Sequence, residues 1–125
     1  MQPLNTTLIL ILGIYTIVWG LWLISPFWTV FSQAPVYCVM AQIGEEWMWG
    51  TVAVVTGGFT IRGALKPNFT NLHLGSFLAA LHWLLIAFVY LLGDWTSTGG
   101  ITSLCFFVYA AVFWINVKAN RSLYK

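Results

Sequence analysis

Residues 72–93, LHLGSFLAALHWLLIAFVYLLG, contain no Asp, Glu, Lys or Arg. As an α-helix rising about 1.5 Å per residue, this stretch is about 33 Å long, close to the roughly 30 Å hydrocarbon core of a bilayer. It is the cleanest spanning signal in the chain, and the rest of the sequence is ordered around it. Before it, Lys66-Pro67-Asn68 makes a short basic turn. After it, Asp94-Trp95-Thr96-Ser97-Thr98-Gly99-Gly100 reads as a turn from its Gly and Ser/Thr content. A further span is expected over about 101–117, followed by a short basic tail.

Upstream, the first span runs over about 4–24. Pro3 and Asn5-Thr6-Thr7 open it and Ser25-Pro26 closes it, because proline lacks a donor and disfavours helix in the residue before it. The stretch has no Lys/Arg leader and no clear cleavage site, so it reads as a retained anchor and not a signal peptide. Between Ser25 and Gly44, Phe27, Trp28, Phe31, Tyr37, Met40 and Ile43 are too apolar for a free loop, yet Pro26 and Pro35 forbid one long helix. Irregular backbone cannot face lipid unpaired. An aromatic interfacial hairpin is therefore expected between the first two helices, with helix restarting near Pro35.

The second span is the difficult one. Glu46 and Arg62 enclose about 22 Å of helix, short for a bilayer. An unbroken helix over about 36–64 is therefore expected, with Glu45 and Glu46 partway down it, because Gly44 alone costs only about 1 kcal/mol. The fold class that follows is an all-α integral membrane protein, a four-transmembrane-helix bundle forming one domain over residues 1–125.

Composition agrees. The chain is 60% hydrophobic and 6% charged, with mean hydropathy +0.86, against about 25% charged residues in an average soluble domain. Its surface cannot be made polar, so the lipid bilayer is the expected surrounding. The net charge of +2 is too small and dispersed for nucleic acid. The charges also divide by side: Arg62, Lys66, Lys118, Arg121 and Lys125 follow apolar stretches, whereas Glu45, Glu46 and Asp94 occupy the alternate turns. Lys/Arg-rich loops stay cytoplasmic, which gives an N-in/C-in topology. Trp19, Trp22, Trp28, Trp47, Trp49 and Trp95 then gather near the far interface as an aromatic belt. The sequons at Asn5, Asn68 and Asn120 all fall on the cytoplasmic side, where glycosylation does not occur, and a bacterial inner (plasma) membrane suits the chain.

Chemistry is sparse. No GxSxG, HExxH, P-loop or GxGxxG motif occurs, so neither a catalytic residue nor a cofactor is expected, and no Cys/His spacing suits a metal. Glu45 and Glu46 form a candidate polar or ion site if several subunits bring them together, but consecutive helical residues point about 100° apart; the plainer role is to favour a helix start. His82 lies deep in the third span, where an ionisable side chain is a functional candidate; it could ligate haem, carry protons or bond across to a neighbouring helix. His73 sits nine residues earlier on the opposite face. Gly13 and Gly20, Gly50 and Gly57, and Gly75 with Ala79 mark faces for close helix packing. Gly57-Gly58 offers a point of bending. Thr51, Thr56 and Thr60 give the second span a partial polar stripe. Cys38 and Cys105 map to the acidic side, where a disulfide is conceivable in an oxidising compartment, although two small buried thiols are the preferred reading.

The expected function is that of a small non-enzymatic membrane protein acting by self-assembly, with holin-like permeabilisation of phage origin as its concrete form. The first competitor is an accessory subunit of a larger membrane complex, docking through the acidic, aromatic side. A small transporter or haem-binding bundle using His82 comes third.

Overall fold

The computed structural model describes residues 6–24, 37–66, 68–96 and 98–123, and every regular element among them is helical. The elements are α1 (Thr6–Ile24), α2 (Cys38–Ile43), α3 (Glu46–Leu65), α4 (Phe69–Gly93), α5 (Thr98–Ala119) and a 3-10 turn over Arg121–Leu123. Three of them, α1, α4 and α5, are long and apolar enough to cross a membrane. The aromatic hairpin expected after the first span lies mostly outside the described residues.

The long helices form an antiparallel run in which α1 packs on α3, α3 on α4 and α4 on α5. The α1–α5 contact is slight. Small residues set these approaches. A Cβ placed on Gly20 would lie 2.7 Å from the Gly50 carbonyl oxygen, and one on Gly57 would lie 2.8 Å from that of Gly13. The two heptad-spaced glycine pairs thus face each other, Gly13 to Gly57 and Gly20 to Gly50, and the backbones meet without side chains between them. On the other flank of α3, a Cβ on Gly75 would meet the Phe59 carbonyl oxygen at 2.8 Å, and buried Ala79 continues that face of α4. Such approach lets dispersion and weak Cα–H contacts act along the whole helix, which matters where lipid supplies no hydrophobic drive between helices.

The expected unbroken helix over 36–64 is corrected. Helix stops at Ile43 and restarts at Glu46, with Gly44 and Glu45 extended between them. Glutamates favour this outcome because at the start of α3 they meet the positive end of its dipole, whereas a continuous helix would carry both carboxylates inward. The break leaves its backbone satisfied: the Met40 carbonyl accepts from the Gly44 N–H (3.0 Å) and from the Trp49 indole N–H (3.0 Å). Met40 is fully buried, and α2 packs across the acidic end of α4, where Tyr37 meets Tyr90 edge to face.

Helix α4 begins a turn before Leu72 because Asn68 caps it, its side-chain oxygen accepting from the Asn71 N–H at 2.9 Å. The core centres on Trp83, 1% exposed, whose indole N–H donates to the Thr16 hydroxyl at 3.0 Å and ties α4 to α1. Tyr15, Trp19 and Phe106 surround its ring. The outer surfaces carry large exposed side chains such as Val18, Leu21, Leu81, Phe88, Val108 and Ile115.

Candidate functional site

The charged ends are cleanly separated. Glu46 stands in the first turn of α3 and Arg62 in its last, Asp94 follows α4, and Lys118 closes α5. Glu45 is exposed and its carboxylate accepts from the Trp47 indole N–H. The two glutamates therefore terminate a helix, and no group of three or more His, Cys, Asp or Glu among the described residues could hold a metal ion.

His82 is 5% exposed. Its ring meets the edges of Trp19 and Trp83 at centroid distances of 5.7 and 5.1 Å, and neither ring nitrogen has a hydrogen-bond partner among the described residues. Burial of an unpaired imidazole costs free energy unless a partner is supplied from elsewhere. His73 points to the other side of α4, where it packs on Phe69 and on Trp114 of α5. The two histidines are not brought together.

The preferred reading of Cys38 and Cys105 as buried thiols is corrected. Both are free thiols, and both are exposed, not buried. Cys105 faces outward from α5 beside Val108 and Val112, whereas α2, which carries Cys38, packs on α4.

The threonine stripe also dissolves. Thr56 and Thr60 are buried towards α4, with the Thr60 hydroxyl donating to the Thr56 carbonyl (2.9 Å) and lying 3.3 Å from the Gly75 carbonyl. Thr51 is exposed on another face and donates to the Trp47 carbonyl. Buried Thr16, Ser76 and Ser103 likewise donate to carbonyls three or four residues earlier in their own helices. With hydroxyls folded back in this way, the described interior has no continuous polar path.

The outer face of α3 is uncovered, as are those of α1, α4 and α5, but it differs from them in carrying Gly58 and Arg62. Thr51, Val55, Gly58 and Arg62 recur at helical spacing and are all exposed. Val55, Gly58, Phe59 and Arg62 line a surface hollow of about 230 Å³. A Cβ on Gly58 would meet nothing within 4 Å. The sequence could not separate Gly58 from Gly57; their roles differ because one points at α1 and its neighbour points away from the bundle.

No family model, no curated protein and no solved structure matches this chain.

Proposed function

We propose that this chain is a small integral membrane protein that crosses the bilayer four times, with both termini in the cytoplasm, and acts by assembling with copies of itself, not by catalysis. Helices α1, α4 and α5 are apolar enough to face lipid, and α3 is the exception, bearing Glu46, Arg62 and several Gly and Thr residues. The observation that carries the reading is the uncovered Thr51–Val55–Gly58–Arg62 face of that least apolar helix. Bare glycine backbone opposite open space is the surface that another helix can approach closely in lipid.

Holin-like permeabilisation of a bacterial inner membrane, of phage origin, is the concrete form. In a ring of copies joined near Gly58, α3 turns its polar positions to the shared interior, and no pathway through one subunit is needed. Gly58→Leu is the discriminating variant, because the isolated bundle has room for the side chain. It should leave each subunit folded, reduce the size measured in mild detergent to that of one chain, and abolish dye entry on induced expression in bacteria. Unchanged size and permeability in Gly58→Leu sink the reading.

A second reading, an accessory subunit, is favoured by the acidic end, where Trp95, Trp47 and Ile43 are 80%, 57% and 63% exposed. A chain that stays single in mild detergent and never permeabilises cells, but co-purifies with one membrane partner through Trp95, supports it instead. Haem binding gains nothing from His82, whose ring is enclosed by Trp19 and Trp83.

A further inference from the structure

The basic end of the bundle holds a cavity of about 1020 Å³, which shares only Arg62 with the open face of α3. Arg62 and Lys66, at the end of α3, form one wall, and Arg121, from the turn after α5, forms the other. The first turn of α4 closes it. Local bonds fix this frame: the Lys66 N–H donates to the Arg62 carbonyl at 2.9 Å, and the Asn71 side-chain amide donates to the Lys66 carbonyl at 3.1 Å. Arg121 is held over the Phe69 ring, with its guanidinium carbon 4.5 Å from the centroid. Two cations one helical turn apart and a third from the far end of the chain are thus presented to one space.

No side-chain carboxylate balances them. The chain has three acidic residues, Glu45, Glu46 and Asp94, all at the other end of the bundle. Glu46 is about 24 Å from Arg62 along α3, well beyond the roughly 8 Å over which exposed charges are felt at physiological salt. The N-terminus of α4 adds the positive end of its dipole to the same space. Leu65, the residue before Lys66 at the end of α3, does not line the cavity but is 66% exposed, an apolar surface at the same end of the bundle.

We propose that this pocket binds a phosphate group, and that the phosphate is that of an anionic phospholipid headgroup. Guanidinium groups suit phosphate oxygens in paired hydrogen bonds, and exposed Leu65 suits the start of an acyl chain. The proposal rests on the four-span reading, which puts this end of the bundle at headgroup depth.

The test uses the full chain purified in neutral detergent micelles and titrated with phosphatidylglycerol, phosphatidylcholine or inorganic phosphate. Bound lipid is counted by native mass spectrometry, and the thermal midpoint is followed in parallel. Phosphatidylglycerol should be retained and raise the midpoint, and phosphatidylcholine should do neither. Lys66→Gln and Arg121→Gln should each weaken the apparent affinity about fivefold. Lys118→Gln, an equal charge change on a residue that does not line the cavity, should leave the affinity unchanged. Equal retention of phosphatidylcholine, or equal weakening by Lys118→Gln, overturns the pocket. A midpoint raised by inorganic phosphate but not by phosphatidylglycerol overturns the lipid source. Binding in micelles requires no particular number of spans, so a failed topology is detected separately, by reporter fusions.

Discussion

Gly57 and Gly58 are neighbours in α3 with opposite surroundings. A methyl group on Gly57 would lie 2.5 Å from Ile17 and 2.8 Å from the Gly13 carbonyl, and backbone cannot yield as a side-chain tip can. Gly57→Ala should therefore destabilise the chain by about 1–3 kcal/mol through overpacking. In the dissociated subunit Gly58→Ala should be neutral or stabilising by up to about 1 kcal/mol, from helix propensity alone. Unfolding midpoints of the two variants in micelles compare them directly; equal losses would contradict the α1–α3 register. His82 offers a second residue-scale test. Its value as a site depends on its ring nitrogens, and its value to packing depends on its contacts with Trp19 and Trp83. His82→Phe keeps the ring contacts and removes the unpaired polar atoms, so stability should hold or rise by about 1–3 kcal/mol. A clear loss of stability would mean that the imidazole holds a partner beyond the described residues.

Among the elements, the α2–α3 break decides where the acidic residues lie. A continuous helix would draw Glu45 and Glu46 inward; the break places them at the head of α3, with the Met40 carbonyl served by Gly44 and Trp49. With Cys38 and Cys105 replaced by Ser, a cysteine at Glu45 should react rapidly with a membrane-impermeant maleimide applied from the acidic side. One at Val55 should stay unlabelled over the same interval. Slow labelling at both positions would restore the unbroken helix. The contrast between α3 and the other long helices belongs to this scale too. Its two flanks are covered by α1 and α4 through glycine and threonine, and its third face is left open. An element this polar gains most from further cover, and the proposed assembly would supply it.

For the whole molecule, the separation of charge predicts orientation. A periplasmic-active reporter fused after Thr96 should be active and the same reporter at the C-terminus inactive; the reverse pattern would invert the proposed topology. Most of the helical architecture was legible from the chain: apolar stretches of spanning length, proline and glycine punctuation, and the alternation of basic and acidic turns. These signals are local, because helix length and the cost of moving charge into lipid depend on each segment by itself. The glycine spacings on α1 and α3 were legible as packing faces, but which faces met was not. Tertiary structure alone decided that Gly13 faces Gly57 and Gly20 faces Gly50, that Thr56 and Thr60 turn to α4 away from Thr51, and that Cys105 looks outward. It also decided that Arg62, Lys66 and Arg121 share one cavity. Each of these depends on the rotation of one helix against another. Periodicity gives the angle between residues on a single helix, and only the packing of several helices fixes where that angle begins.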